Sequence, residues 1–154
     1  MPDGDDYRDS LEKDQSITTG SGRFGGSVTS PPATRVSSPF GYRTIFGQRE
    51  FHSGIDLPIP TGTRLNSVGD GVVTTVGRES AGGIYVKVKY DNGIEMSYCH
   101  LKNYSVKKGQ RISQGQELAR SDNTGRSTGP HLHLTVRKNG QAVDPKSVPG
   151  LVFP

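Results

Sequence analysis

The stretch Thr128-Gly129-Pro130-His131-Leu132-His133-Leu134-Thr135-Val136-Arg137 places two histidines two residues apart. Leu, Thr and Val favour a β-strand, and residues i and i+2 of a strand point to the same face. His131 and His133 should therefore present both imidazoles to one site. The chain has two further histidines, His52 and His100, and the question is whether all four form one cluster.

His52 lies in the segment His52-Ser53-Gly54-Ile55-Asp56-Leu57-Pro58-Ile59-Pro60. Its glycine and prolines exclude a stable helix, so we expect an extended segment. In an extended segment His52 and Asp56, four residues apart, share a face.

His100 lies on the second strand of a predicted hairpin. Residues 84–90 alternate between apolar residues and lysines or Tyr85, residues 91–93 read Asp-Asn-Gly, and residues 94–101 return. Asp-Asn-Gly between two such runs is a strong hairpin signal. Strand alternation predicts that Tyr98 and His100 share a face and that Cys99 points away from it.

Composition points to a single small β domain. The chain has 154 residues, 30% of them hydrophobic, and 21 are glycine. These values suggest short strands and many turns, and argue against a helical bundle. We predict an all-β fold: an antiparallel β domain of short strands and hairpins.

The N-terminal part differs from the rest in composition. Residues 1–36 hold six acidic and four basic residues, and residues 20–38 are rich in Gly, Ser and Pro. We expect a flexible polar tail and linker over residues 1–36 and a folded domain over residues 37–154. A tail that packs on the domain or blocks it is the alternative.

The remaining chain has 15 basic and nine acidic residues within a net charge of +4. A basic domain favours polyanionic partners such as nucleic acid or an anionic cell wall, and the alternative is an ordinary solvated surface. Aromatics are not spread over one sheet face, so nucleic acid is not expected as a partner. No apolar run is long enough to span a membrane, no signal peptide is visible, and the one cysteine, Cys99, excludes an internal disulfide.

Four histidines and one aspartate match the needs of a catalytic zinc site. Such a site uses three protein ligands and leaves a position for water, whose pKa falls toward about 7. Hydrolysis also needs a proton acceptor and a group that stabilises the oxyanion. The four histidines together with Asp56 supply three ligands and two further imidazoles, although each motif alone is a weak signal.

Five stretches in order give a more specific signal. The chain resembles the LytM/lysostaphin-type zinc endopeptidases, which cut the peptide part of peptidoglycan. The resemblance covers about residues 37 to 148, and its motifs are Ser-Pro-Phe-Gly-Tyr-Arg (38–43), His-Ser-Gly-Ile-Asp (52–56), Pro-Thr-Gly-Thr (60–63) with Gly-Asp-Gly-Val-Val (69–73), Tyr-Cys-His-Leu (98–101) and Gly-Arg-Ser-Thr-Gly-Pro-His-Leu-His (125–133).

The resemblance implies a duplicated-hybrid-motif-like fold of the LytM type and assigns a role to each site residue. His52, Asp56 and His133 would bind one Zn²⁺ per chain. His100 and His131 would flank the attacking water as general base and transition-state stabiliser, in either order. Because ligating histidines must be neutral, activity should fall on the acid side.

Tyr98 is a candidate oxyanion stabiliser, with a packed strand aromatic as the equal alternative. Three positions depart from the pattern. Cys99 stands where a small residue is usual, and we interpret it as packing. Leu134 replaces a Phe, and Thr135 stands where the family often has Glu, which is expected to alter the hydrogen bonding around the ligands.

The implied function is a zinc metalloendopeptidase that hydrolyses peptidoglycan stem peptides or cross-bridges at the cell wall. A phage tail or virion lysin, or another larger multidomain protein, is the expected setting, and a secreted bacterial hydrolase is the alternative. The alternative is a catalytically silent wall-binding or regulatory module of the same fold. Specificity should come from loops near residues 44–51, 77–83 and 120–130.

Overall fold

The structure, a computed structural model, describes residues 24–122 and 129–154. This part of the chain is built from twelve β-strands and one short 3-10 helix. The strands are β1 (Thr29–Ser30), β2 (Gly41–Ile45), β3 (Gln48–His52), β4 (Ile55–Pro58), β5 (Arg64–Asn66), β6 (Gly71–Glu79), β7 (Gly83–Tyr90), β8 (Ile94–Tyr104), β9 (Arg111–Ile112), β10 (Glu117–Ser121), β11 (His131–Lys138) and β12 (Gln141–Val143), and the 3-10 helix is Pro145–Ser147. The predicted all-β antiparallel fold is confirmed.

Ten strands form one branched sheet, in which β8 is the central member. The main path runs β9-β6-β7-β8-β10-β5-β1, and β11 joins β8 and also pairs with β4 and β12. The 11 residues of β8 are enough to pair with β7 along one edge and with β11 and then β10 along the other. Strands β2 and β3 form a separate hairpin that leads into His52.

The hairpin of β7 and β8 has the predicted turn. The N–H of Gly93 donates to the carbonyl oxygen of Tyr90 at 2.9 Å, and Gly93 has a positive φ of 89°, a conformation that glycine adopts without strain. The alternation also holds along β7, where Val86 and Val88 are fully buried and Lys87 and Lys89 are exposed.

The core lies on one face of the sheet, where alternate residues of the long strands meet. Full burial of each such aliphatic side chain contributes roughly 1.5–3 kcal/mol. The fully buried side chains on β7, β8 and β11 are Val86, Val88, Met96, Tyr98, Leu132, Leu134 and Val136. The opposite face of the same strands is left for polar residues, and the histidines lie there.

The folded domain begins before residue 37, which corrects the predicted boundary. Phe24 and Val28 are buried in the core, and β1 pairs with β5. The ring of Phe24 packs edge-on against Tyr90 at 4.9 Å between centroids. Two apolar side chains thus anchor a segment whose Gly, Ser and Pro content predicted a linker. The rest of the predicted tail, residues 1–23, lies outside the described residues.

Within residues 24–122 and 129–154, no helix has the length and apolar character needed to cross a membrane.

Candidate metal centre

Three side chains from three strands converge on one point. The hydrogen bond between His133 Nδ1 and Asp56 Oδ1 measures 2.7 Å, and His52 Nε2 lies 3.6 Å from Asp56 Oδ2. One ligand atom from each residue lies within 4.8 Å of the others. Because zinc bonds to nitrogen and oxygen are about 2.0–2.2 Å, a tetrahedral ion needs ligand atoms about 3.3 Å apart. Two imidazoles and a carboxylate at these separations fit zinc.

The pairing of β4 with β11 brings two of the three candidate ligands together. In the register of these strands His133 lies directly opposite Asp56, although 77 residues separate them in the chain. Gly54 allows the close approach of the segment between His52 and Asp56. A Cβ at Gly54 would lie 2.3 Å from the carbonyl oxygen of Leu134, so glycine is required by packing at this position.

His52 is oriented by the segment just before β2. Its Nδ1 lies 2.9 Å from the carbonyl oxygen of Pro39 and 3.3 Å from Ser38 Oγ. A carbonyl oxygen only accepts, so Nδ1 carries the proton and Nε2 presents a lone pair toward Asp56. The sequence analysis did not assign this orienting role to Ser38 and Pro39, although both lie in the first of the five quoted motifs.

The surroundings of Asp56 keep its carboxyl group ionised. Burial raises its pKa, but the hydrogen bond from His133 and the charges of His133, His52 and His131 lower it, and the net pKa is below its ordinary value. An ionised carboxylate is the form that binds a cation.

His131 stands beside the three ligands with a defined tautomer. Its Nδ1 donates to the carbonyl oxygen of Gly129 at 2.8 Å, which leaves Nε2 with a lone pair, 3.8 Å from Asp56 Oδ1. His131 is held by a backbone carbonyl on one side and faces the cluster on the other, so it can accept a proton there.

His100 completes the group through a β-bulge. Ile84 pairs with Leu101, and Val86 pairs with Tyr98. One residue on β7, Tyr85, therefore lies opposite two residues on β8, Cys99 and His100. His100 has a positive φ of 64°, as a residue at an irregularity of this kind can. Its ring lies 4.7 Å from that of His131 and 6.3 Å from that of His133, between centroids. All four histidines therefore lie in one cluster with Asp56.

A family model covers this entire cluster. The model of Peptidase family M23 matches residues 50–145, which include all four histidines and Asp56. The chain belongs to peptidase family M23. The predicted resemblance to LytM/lysostaphin-type peptidases is confirmed.

Two curated relatives show how much of a longer protein this M23 chain represents. It is 44% identical over 117 residues to the DD-carboxypeptidase/endopeptidase Mpg of Neisseria meningitidis, covering 75% of this chain and 27% of the relative. It is 42% identical over 113 residues to the peptidoglycan DD-endopeptidase ShyA of Vibrio cholerae, covering 71% and 26%. The chain spans about a quarter of the length of these relatives.

A solved structure shares the fold of this M23 chain. The crystal structure of a zinc-containing peptidase from Vibrio cholerae superposes with a TM-score of 0.76 at 31% sequence identity. The match covers 86% of this chain and 41% of that one.

Thr135 contacts the candidate ligand His133, as its position in the M23 motif led us to expect. Its Oγ1 lies 3.3 Å from His133 Nε2, the ring nitrogen that faces away from Asp56. A hydroxyl at this place can accept the Nε2 proton and so leave Nδ1 free to bind a metal. Leu134, the other departure on β11, is fully buried in the core.

Tyr98 is not part of the site, and its prediction as an oxyanion stabiliser is wrong. Its side chain has no exposed surface, and its hydroxyl pairs with that of Tyr90 at 2.6 Å. Burial is the main cause that raises the pKa of Tyr98 well above its ordinary value, and the neighbouring Tyr90 adds to it. Tyr98 is the packed strand aromatic of the alternative interpretation.

Cys99 lies on the same face as His100, although strand alternation predicted opposite faces for these two residues. It lines the same groove as His100 and His133, because the bulge breaks the alternation. The thiol is not among the three clustered ligands. Burial and the nearby carboxylate of Glu79 raise the pKa of the Cys99 thiol to about 11, and the charge of Lys87 partly opposes this rise. Cys99 therefore lines the groove as an uncharged thiol.

Proposed function

We propose that this chain is a zinc-dependent endopeptidase that hydrolyses peptide bonds in the stem peptides or cross-bridges of peptidoglycan. The observation that carries the proposal is the meeting of His52, Asp56 and His133 with two further imidazoles in an M23 chain. We propose that the ion bound by His52 Nε2, an Asp56 oxygen and His133 Nδ1 is zinc, one per chain. Bound zinc supplies a Lewis acid that polarises the scissile carbonyl and acidifies water.

His131 is the residue we propose as the proton acceptor. Its Nδ1 proton is committed to the Gly129 carbonyl, so Nε2 is the nitrogen that can take a proton from water and later pass it to the leaving amine. His100, with its ring 4.7 Å from that of His131, is proposed to stabilise the developing oxyanion.

The scissile bond we propose joins two D-configured centres. Both curated relatives carry DD- in their names, one as a carboxypeptidase/endopeptidase and one as a peptidoglycan DD-endopeptidase. The site of action is then the cell wall, as one part of a larger multidomain protein. A phage tail or virion setting stays a prediction.

Metal content and lysis of purified walls, measured together on the same protein, test the proposal. We expect about one zinc per chain and lysis in the parent, and loss of both in His133→Ala and in Asp56→Ala. Asp91→Ala is the matched control, because Asp91 is a surface carboxylate paired with Arg111 outside the cluster.

Two results would contradict the proposal in different ways. Zinc without lysis of walls of any chemistry would favour the catalytically silent wall-binding or regulatory module. A parent protein that takes up no zinc, even with metal added, would exclude the zinc enzyme altogether.

A further inference from the structure

The motif of residues 38–43 ends in an arginine whose side chain reaches back to the first residue of the motif. Arg43 lies on β2, and its cross-strand neighbour on β3 is Glu50. Its Nε donates to Glu50 Oε1 at 2.9 Å, and its Nη1 donates to the hydroxyl oxygen of Ser38. The guanidinium group therefore joins a surface carboxylate to Ser38, which lies beside the candidate metal centre.

Ser38 contacts two of the three candidate ligands. Its Oγ lies 3.3 Å from His52 Nδ1. Its backbone forms an isolated antiparallel bridge with Asp56, in which the N–H of Asp56 donates to the carbonyl oxygen of Ser38 at 3.0 Å. The N–H of Ser37 donates in return to the carbonyl oxygen of Asp56 at 2.9 Å. Ser38 is thus placed to control how His52 and Asp56 lie relative to each other.

Asp56 and His52 are held in different ways. The backbone of Asp56 is paired on both edges of β4, with His133 on one side and Ser38 on the other. The ring of His52 is held only through its side chain, by the carbonyl oxygen of Pro39 at 2.9 Å and by the hydroxyl of Ser38. Of the two ligands, His52 is therefore the one whose geometry depends on the orientation of a hydroxyl group.

The hydroxyl of Ser38 can serve His52 in two opposite ways. A hydroxyl has one hydrogen to donate and two lone pairs that accept, so a freely rotating Ser38 can also donate to Nδ1 and favour the tautomer with its proton on Nε2. Arg43 has donors only, so the Ser38 oxygen must accept from it. With one lone pair committed, the hydroxyl is less free to rotate. The other lone pair is left for the Nδ1–H of His52, the tautomer that the Pro39 carbonyl also selects.

The second arginine of the hairpin shows that this contact is specific to Arg43. Arg49 pairs with Thr44 in the strand register, one position along from the pair of Arg43 and Glu50. Its side chain therefore lies on the opposite face of the hairpin, where its guanidinium group stacks on the ring of Tyr42 at 4.0 Å from the centroid. Both arginines carry the same charge, but only Arg43 is linked through Ser38 to a candidate ligand.

We propose that Arg43 is a positioning residue of the metal centre, which acts through Ser38 to fix the ring orientation and tautomer of His52. This inference rests on the proposed zinc site and assigns a role to a residue outside the ligand set. Groups that orient a ligating histidine through its other ring nitrogen typically change metal affinity by about 10–100-fold when they are removed.

Zinc affinity, measured by competition with a chelator, tests the link between the two residues. We expect Arg43→Gln and Ser38→Ala each to weaken zinc binding by about tenfold or more. In the double variant, Arg43→Gln should add no further loss, because its effect passes through the hydroxyl that Ser38→Ala removes. Arg49→Gln is the matched control, which removes the same charge from the other face of the hairpin and should keep the parental affinity.

Nitrogen NMR spectra of the imidazole rings, recorded on metal-free protein with isotope-labelled histidine, give a readout that a general loss of stability does not produce. A ring nitrogen that carries a proton and one that has a free lone pair give separate signals. In Arg43→Gln the signals of His52 should shift toward a mixture of the two tautomers. Those of His131, whose Nδ1 is held by the carbonyl oxygen of Gly129, should stay unchanged and serve as the reference within each sample.

Conservative variants separate positioning from folding. Ser38→Thr keeps the hydroxyl and should retain zinc affinity close to the parental value. Arg43→Lys keeps the charge but lacks the planar fork that serves Ser38 and Glu50 together, so its zinc affinity should lie between those of the parent and Arg43→Gln. Thermal melting of each metal-free variant shows whether it is folded.

The outcomes separate this inference from the proposed function. Additive losses in the double variant overturn the inference, because Arg43 would then act independently of Ser38. Parental zinc affinity in Arg43→Gln also overturns it and leaves the zinc site intact. A parent protein that binds no zinc counts against the proposed function, and the metal-free spectra then decide the role of Arg43. A shift confined to His52 supports that role, and an unchanged His52 signal excludes it.

Discussion

Strands β11 and β8 lie side by side and both carry site histidines, but only β11 is regular. Along β11 side chains alternate without interruption, so that His131 and His133 share the polar face while Leu132 between them is buried. On β8 the alternation holds as far as Tyr98 and then fails at the bulge, where His100 has a φ of 64°. A regular strand thus holds the proposed ligand His133 at a constant spacing from His131, and a bulged strand aims a fourth imidazole at the same cluster. We therefore expect substitution of His133 on β11 to affect metal binding and substitution of His100 on β8 to leave it intact.

The largest effect is expected where β4 meets β11. Gly54→Ala places a methyl group 2.3 Å from the carbonyl oxygen of Leu134, so β4 must move away from β11 and take Asp56 with it. We expect a loss of roughly 1–3 kcal/mol in the free energy of unfolding together with loss of zinc binding. Chemical denaturation and metal analysis measure both.

Gly77→Ala is the control for that substitution. Its new methyl group would meet only the ring and hydroxyl of Tyr85, at 3.3–3.5 Å. An unchanged metal content in Gly54→Ala would show that the register of β4 and β11 does not require glycine.

A smaller effect, confined to catalysis, is expected from the bulge. His100→Ala should lower kcat by about 10²–10⁴-fold, the range typical of a residue that assists proton transfer or charge stabilisation, while zinc stays bound. Comparison with His133→Ala, which should lose the metal, sharpens the contrast between the strands. Loss of zinc in His100→Ala would instead make His100 a ligand.

Tyr98, two residues before His100, should matter for stability alone. Tyr98→Phe removes the buried hydroxyl pair with Tyr90 and should lower the free energy of unfolding by about 0.5–1.5 kcal/mol. The value of kcat should stay within about twofold of the parent, a change much smaller than the loss of one catalytic hydrogen bond causes. Thermal melting and a lysis assay check the two parts. A fall of a hundredfold in kcat at unchanged stability would restore the oxyanion role.

The smallest effect is expected at Cys99. With a pKa of about 11, only about one thiol in a thousand is ionised at pH 8. Alkylation by iodoacetamide should therefore be slow at pH 8 and should accelerate as the pH rises toward 11. The pH profile of labelling, followed by mass spectrometry, gives the value directly. Fast labelling at pH 7 would mean that the thiolate is stabilised by Lys87.

Much of the site was predictable because its motifs are local. His131 and His133 share a face through strand periodicity, and His52 and Asp56 lie close together in the chain, so both pairs follow from short spacings. The apolar alternation of β7 and its Asp-Asn-Gly turn predicted the hairpin correctly. The predicted loop at 120–130 lies largely outside the described residues, since residues 123–128 are not described.

The predictions that failed depend on a break in periodicity or on burial. Sequence alternation assigned Tyr98 to the site and turned Cys99 away from it, and one extra residue in β8 reversed both assignments. Composition assigned residues 24–36 to a linker, although Phe24 packs on Tyr90 in the core. A bulge has no reliable signal in a single sequence, because it depends on how the partner strand pairs.

The amino-acid sequence thus determined the fold class, the inventory of four histidines and one aspartate, and the strand that presents two of them. Only the tertiary structure decided that Asp56 lies opposite His133 and that the bulge on β8 turns His100 toward the same cluster. The physical reason is that each of these contacts joins strands distant in the chain or paired side by side. Their register is set by the packing of the whole sheet, which no local pattern encodes.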